Sequence, residues 1–411
     1  MSLLPRRVAV VVFLAFAFAY FISALLRAIT ATLSPVLTLE LGLNARDLGL
    51  LAGGYFLGFS LTQLPMGAWL DRHGPRKVIL SLLSVAVVGC LAFSLAGGFP
   101  ALLGARVLIG AGVSACLMAP LTGNRRWLDA STQLRANSWM LMTGSLGMVA
   151  STLPVQWLAP LVGWRPLFWG LAVAIVLAMA LIAVRVPGWT SMAPASGSSP
   201  GADASYAQVW RNAYFRRMTP IGFFSYGGLI AMQTLWAVPW MIKVAGYSGE
   251  QAAKGLFWIN VAMLCTFWTW GMVNPWLVRR GFAAERLITW GLPSSFILLA
   301  IIIIAKEDLS TLATPAFALY CMSCSFVSLA QPAVGMAFPQ ALAGRALSAY
   351  NLVIFAGVFV VQWGIGLLID GFKALGVAEV AAYQAAAGVF LACCMASYAY
   401  FLWAKPHNQG S

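Results

Sequence analysis

The sequence predicts an all-α membrane protein whose twelve transmembrane helices form two pseudo-symmetric six-helix bundles. Three observations carry that prediction. Hydrophobic residues make up 61% of the 411 and charged residues only 9%, with a mean hydropathy of +0.85. A soluble globular chain carries about 25% charged residues, and a chain facing lipid has no such need. The apolar residues also fall into runs of about twenty, the length of a helix crossing the hydrocarbon core. Finally, a short charged motif occurs twice, displaced by 207 residues.

In chain order the spans are read at residues 9–30, 48–70, 78–98, 100–121, 137–158, 166–186, 219–243, 254–277, 286–305, 313–337, 347–369 and 380–403. The first stands behind Arg6 and Arg7. It is a full span with no small-residue cleavage site at its end, so it is read as an uncleaved span and not as a signal peptide. The second and third flank the charged stretch GAWLDRHGPRKV (Gly67–Val78). The fourth carries Arg106, and Arg125, Arg126 and Arg135 separate it from the fifth. GWRPLFW (Gly163–Trp169) leads into the sixth. PGWTSMAPASGSSPGADASYAQ follows, rich in Pro, Gly, Ser and Ala, and reads as a flexible linker. Beyond it the seventh span is unusually polar and aromatic, the eighth runs down to WLVRRG (Trp276–Gly281), and the ninth ends before Lys306. The tenth holds CMSC (Cys321–Cys324), the eleventh Asn351 and Gln362, and the twelfth CCM (Cys393–Met395). The expected organisation is a bundle over 1–186, a cytoplasmic linker over 187–213 and a second bundle over 214–411.

An even number of spans puts both termini on one side. With the N-terminus inside, 17 Lys and Arg fall on inner segments, 6 on outer ones, and Arg27 and Arg106 lie within spans. The positive-inside rule therefore orients the chain with both termini cytoplasmic in a cell inner membrane. It also accounts for the net charge of +14. The basic excess is topological, which removes the argument for a nucleic-acid partner; the expected contacts are membrane lipids and a small-molecule substrate, for which a monomer suffices. The seven cysteines sit in apolar runs without the spacing of a disulfide framework. Both histidines, His73 and His407, are peripheral, so no Ser–His–Asp set is available. No phosphate-cradling loop follows a strand. No enzymatic activity, no cofactor and no resident metal are expected.

The recurring motif identifies a relationship. WLDRHG (Trp69–Gly74) and WLVRRG (Trp276–Gly281) each follow the second span of their half, the mark of a duplicated six-helix unit. Topological anchoring explains Arg72, Arg76 and Lys77. It does not explain Asp71, which opposes the dipole of a helix C-terminus and so calls for a partner. Gly67 is expected to let two helices approach, and Gly74 to make a tight turn. The pattern G-x-x-x-D-R-x-G-x-R-K resembles the signature loop of the major facilitator superfamily. So do the linker, the degenerate second copy, the R-x-x-x-G-x-G of span four (Arg106, Gly110, Gly112) and GWRPLFW. That resemblance implies the superfamily fold, alternating access about a central cavity, and a latch formed by Gly67, Asp71, Arg72, Gly74, Arg76 and Lys77. The second copy has Val278 in place of the acid, which makes the latch one-sided.

Ionisable groups within spans are costly and are functional candidates. All 11 acidic residues fall in loops or at helix ends. Ion coupling, where present, therefore falls to counter-substrate exchange, to a proton on the substrate, or to Asp47 or Asp71 at a span end. Arg106 resembles the family arginine linked with proton coupling; the alternative is a structural arginine bonded to helix carbonyls. Arg27 opens RAITATLSP, and its spacing to Pro35 resembles the first span of organophosphate–phosphate antiporters. Two readings stand: a guanidinium that binds an anionic substrate, or one that snorkels to headgroups. Thr234 occupies the repeat-equivalent place, so a monoanion is favoured over a phosphate ester.

Tyr20 and Ser23 share span one with Arg27, while Tyr226, Gln233, Trp236 and Trp240 decorate span seven. Aromatic walls with a few hydrogen-bonding groups suit an organic-solute site. Asn260, Gln331, Asn351 and Gln362 are further polar candidates, although such residues also bridge helices. Uptake or exchange of a small organic anion leads. Proton-driven drug or metabolite efflux is an alternative, against which span five lacks G-x-x-x-G-P-x-x-G-G. Copper import through Cys321 and Cys324 is another, because thiols suit a soft metal.

Overall fold

The structure, a computed structural model, describes residues 4–189 and 206–404. The middle of the expected linker, with Asp203, and the tail carrying Lys405 and His407 lie outside the described residues. The described residues form helices, with no strand among them. In hydrocarbon a helix satisfies every backbone group within its own segment, which is why each long apolar run folds this way. Ten of the described helices are long and apolar enough to span a membrane, and a bent pair adds an eleventh. The remaining span is the second. It is built from α2 (Ala45–Leu61) and the start of α3 (Gln63–Leu95), broken at Thr62. The twelve-helix membrane fold follows.

Contacts divide the chain into two compact units, with the division falling inside α2 between Gly53 and Gly54. Unit 1 holds α1 (Arg6–Leu41), the rest of α2, α3, α4 (Phe99–Val113), α5 (Ala115–Trp127), α6 (Ala130–Ala150), α7 (Leu153–Val162) and α8 (Trp164–Arg185). Spans two and three are separated by Gly74 at φ 77, with Pro75 next. Span five is the bent pair: residues 135–150 and Leu153–Val162 meet at 45°.

The first span runs eleven residues past its expected end at 30, to Leu41. The extension has a use. Trp164 Nε1 donates to Glu40 Oε2 at 2.6 Å, Arg165 pairs with the same carboxylate, and the Arg165 guanidinium covers the Trp164 ring at 4.1 Å. The GWR of GWRPLFW is thus a clasp on the end of α1.

Unit 2 contains the other six spans. α9 (Tyr206–Arg211) precedes the seventh, which is α10 (Ala213–Ile221), a π-helical turn Gly222–Tyr226, α11 (Gly227–Ala231), a second π-helical turn Met232–Trp236, and α12 (Ala237–Lys243). There follow α13 (Gly249–Arg279), α14 (Ala284–Ala305), α15 (Ala313–Cys324), α16 (Ala330–Met336), α17 (Gln340–Ala374) and α18 (Glu379–Trp403). Gly42–Gly53 groups with this unit, where Arg46 N donates to Asp370 Oδ2 at 2.7 Å.

Arg217, counted above as an inner-loop cation, is only 3% exposed. Its Nη1 donates to Glu285 Oε2 at 2.6 Å, its Nε donates to the Phe401 carbonyl at 2.8 Å, and its guanidinium lies 4.4 Å from the Phe401 ring. It ties the starts of spans seven and nine to the end of span twelve. A count of charges near span ends does not register such pairing. Glu285→Ala leaves that guanidinium buried beside one remaining acceptor. The variant is expected to lose about 1–3 kcal/mol, read as a lower melting temperature of the purified protein, and Glu285→Gln is expected to recover part of it.

Candidate functional site

Arg27 lies within α1 of unit 1, with part of its surface accessible. Tyr20, two turns earlier on the same face of α1, and Tyr55 of α2 both stand beside its guanidinium, and Phe59 sits 5.7 Å below it. The Tyr55 hydroxyl donates in turn to the Ser23 carbonyl at 3.2 Å. The Ser23 hydroxyl is buried and donates to the Val113 carbonyl at 3.5 Å, which fastens α1 to α4. The result is a cation framed by phenols and a ring, with uncharged walls.

Arg106, on α4, is fully buried. Its Nη1 donates to the Leu26 carbonyl at 3.0 Å, one residue before Arg27. The faces of Tyr55 and Phe93 stand 5.7 and 5.8 Å from its guanidinium. Its Nε and Nη2 have no acceptor among the described residues. Tyr55 therefore serves both cations: its hydroxyl meets Arg27 and its ring covers Arg106. The span-four glycine pattern makes this possible, because a Cβ on Gly110 would fall 1.8 Å from the Tyr55 carbonyl oxygen.

In unit 2 the polar candidates pair with one another. Gln233 Nε2 donates to Asn260 Oδ1 at 2.8 Å, Gln331 Nε2 donates to Asn351 Oδ1, Gln362 Nε2 donates to Thr234 Oγ1 at 2.9 Å, and Trp236 Nε1 donates to the Gln362 carbonyl at 3.1 Å. These bonds bridge helices. Tyr226 closes the first π-helical turn and is part-exposed. Met232, Trp236, Trp240, Phe317 and Tyr383 line a small apolar cavity of about 20 Å³, room for about one water. Cys324 and Cys394 are buried, and their thiols donate to the Ser225 and Phe224 carbonyls of the first π-helical turn. Among the described residues no group of three or more His, Cys, Asp or Glu is placed to hold a metal ion.

The signature turn shows one departure from expectation. A Cβ at Gly67 would meet nothing within 4 Å, so no helix among the described residues approaches there; the residue is on an open face. Gly74 behaves as expected, buried at positive φ. Asp71, Arg72 and Lys77 are exposed and Arg76 is part-exposed, and the Asp71 carboxylate has no ion-pair partner among the described residues. Asp47, the other coupling candidate, lies in the first turn of α2, where its backbone N donates to Asn44 Oδ1 at 2.8 Å. An acid there complements the helix dipole.

The sequence model of the Major Facilitator Superfamily matches residues 16–362. The chain belongs to the Major Facilitator Superfamily. A solved bacterial homologue of the human lysosomal transporter Spinster, in an inward-facing and unoccupied conformation, has the same fold, with a TM-score of 0.76 at 16% identity over 97% of both chains. Curated relatives are more distant in extent. A probable anion transporter 1, chloroplastic, from Oryza sativa subsp. japonica is 23% identical over 70% of this chain and 56% of its own length. A chloramphenicol resistance protein from Streptomyces lividans is 28% identical over 41% of this chain and 43% of its own. A probable sulfoacetate transporter from Cupriavidus necator is 25% identical over 57% of each chain. The chain thus spans about half the length of these relatives.

Sequence reasoning missed Tyr55 and Phe59. An aromatic pair among glycines in GGYFLGF (Gly53–Phe59) was the available signal, but nothing in it says which aromatic faces a cation on another helix. The superfamily span-four glycine pattern gives a direct test. Gly110→Ala is expected to push α4 off Tyr55 at a cost of about 1–3 kcal/mol, read as a lower melting temperature. Gly104→Ala, on the same helix with open space around it, is expected to be neutral or slightly stabilising.

Proposed function

We propose that this superfamily transporter carries a small organic anion, a monoanion bearing a carboxylate or similar acid group, across the inner membrane by alternating access, with both termini cytoplasmic. The observation that supports this most is the Arg27 cluster. A guanidinium offers a planar fork to an acid group, and Tyr20, Tyr55 and Phe59 hold it in place. Bonds from a fixed fork lose little orientation entropy on binding, which favours affinity for planar acids. The Tyr20 hydroxyl is the phenol left to hydrogen-bond a remaining oxygen of such a group, since the Tyr55 hydroxyl donates to the Ser23 carbonyl. Thr234 at the repeat-equivalent position supplies no second cation, which fits one negative charge better than two.

The polar set of unit 2 (Tyr226, Gln233, Trp236, Asn260, Gln331, Asn351 and Gln362) then reads as wall and scaffold. The names of two relatives, an anion transporter and a sulfoacetate transporter, support an anionic cargo but not its single charge, since sulfoacetate carries two acid groups. The turn formed by Gly67, Asp71, Arg72, Gly74, Arg76 and Lys77 acts as the conformational latch, and Arg106 positions α1. A second reading, export of an uncharged drug, is favoured by the chloramphenicol resistance relative.

Uptake into proteoliposomes separates the two. The panel holds labelled monocarboxylates, sulfoacetate, phosphate esters and chloramphenicol, each with and without a pH gradient. A monoanion is expected to accumulate, and Arg27→Gln is expected to weaken its apparent affinity by about 1.5–3 kcal/mol, roughly ten- to a hundredfold, while the protein still reaches the membrane. Unchanged affinity in Arg27→Gln, or transport of chloramphenicol alone, contradicts the anion assignment.

A further inference from the structure

Span two ends on a carbonyl that its own helix cannot satisfy. A helical carbonyl accepts from the N–H four residues on, and four residues after Asp71 stands Pro75, which has no N–H. In the structure that carbonyl is met from elsewhere: Trp189 Nε1 donates to the Asp71 oxygen at 3.4 Å. Trp189 comes just after α8 ends at Arg185.

The same residue fills the space over Gly74. A Cβ on Gly74 would fall 2.2 Å from both Cβ and Cγ of Trp189. Glycine is thus required at this position for two reasons, the φ of 77 and the tryptophan seated against it. The indole has a second set of neighbours. The Arg126 guanidinium lies 4.3 Å from its ring centroid, and Trp127 meets it edge-on at 6.3 Å. Trp127 is itself only 4% exposed, and its carbonyl accepts from Leu4 N at 3.1 Å. Trp189 is therefore held between the signature turn and the end of α5.

We propose that Trp189 is a positioning residue of transport: its indole pins the Asp71–Pro75 turn to the end of α5 and sets how readily that turn changes shape. A tryptophan that merely buries apolar area needs neither an orphaned carbonyl opposite its N–H nor a neighbour restricted to glycine. Here both are present, together with a cation on the ring, a set of contacts that fixes position as well as burial. The pin stands on these contacts alone; its consequence for transport rests on the latch reading of the turn.

Hydrogen–deuterium exchange of the full chain in nanodiscs reads the pin directly, in the peptide covering Gly67–Val78. Trp189→Ala is expected to raise exchange there by about tenfold, with peptides from residues 206–404 staying within about twofold of wild type. Trp189→Phe keeps a ring over Gly74 but gives up the N–H, and is expected to fall between the two. Arg126→Gln removes only the cation over the ring and is expected to give a smaller rise confined to the same peptide. Exchange of the turn at the wild-type rate in both Trp189→Ala and Arg126→Gln overturns the proposal, and so does a rise spread evenly over both units. Turnover in proteoliposomes, with a labelled monocarboxylate as the probe, separates pin from latch. A loosened turn with altered turnover supports both; a loosened turn with unchanged turnover supports the pin and removes the latch.

Discussion

A guanidinium inside a bundle of apolar helices must be bonded by the protein, and Arg106 meets that constraint through the backbone of its neighbour. Its bond to the Leu26 carbonyl holds α1 against α4 beside Arg27, the cation that α1 carries in the middle of its span. The aromatic rings on either side spread the compensation. Tyr55 reaches from Arg106 to Arg27. Phe93 stacks on Phe168 at 4.1 Å and meets Trp164 edge-on at 5.6 Å. Trp164 belongs to the Glu40 clasp. One line of contacts thus runs from the end of span one to the candidate anion site, all of it within unit 1. Burying the first charge is costly, and the same packing that meets that cost orients the second.

Unit 2 solves a different problem with different chemistry. It has no cation in the middle of its spans, and its buried amides close on each other in pairs. Span seven departs from a regular α-helix at two π-helical turns. Such turns loosen the bonding ladder and recur at functional positions. The freed carbonyls of the first are met by two thiols, a donor that stays neutral and compact in an apolar interior. The cysteines singled out as soft-metal ligands are thus tied, at Cys324 and Cys394, to the backbone of span seven. The interiors of the two units differ, as Thr234 at the sequence position 207 residues after Arg27 already indicates.

The fold was legible because membrane helices obey a length rule and a charge rule that act locally along the chain. Twelve apolar runs, a duplicated motif and a skewed distribution of arginine needed no knowledge of contacts. What escaped the sequence was pairing across helices. Arg217 looks like any inner-loop arginine, yet it is buried against Glu285. Glu40 looks like a loop acid, yet it anchors Trp164 and Arg165. Tyr55 carries no mark that separates it from Phe56 beside it. Gly67 shows the opposite error: a spacing that commonly means close approach stands here on an open face. The site was therefore half visible, its cation readable from the cost of placing it in a span, its frame readable only from three dimensions.

The account turns on where an acid group docks. A structure of the full chain with a transported monoanion bound measures this directly. The account predicts acid oxygens about 2.7–2.9 Å from the Arg27 guanidinium nitrogens, with the Tyr20 hydroxyl as a further contact. An anion bound elsewhere, with Arg27 still engaged only by its own tyrosines, contradicts it.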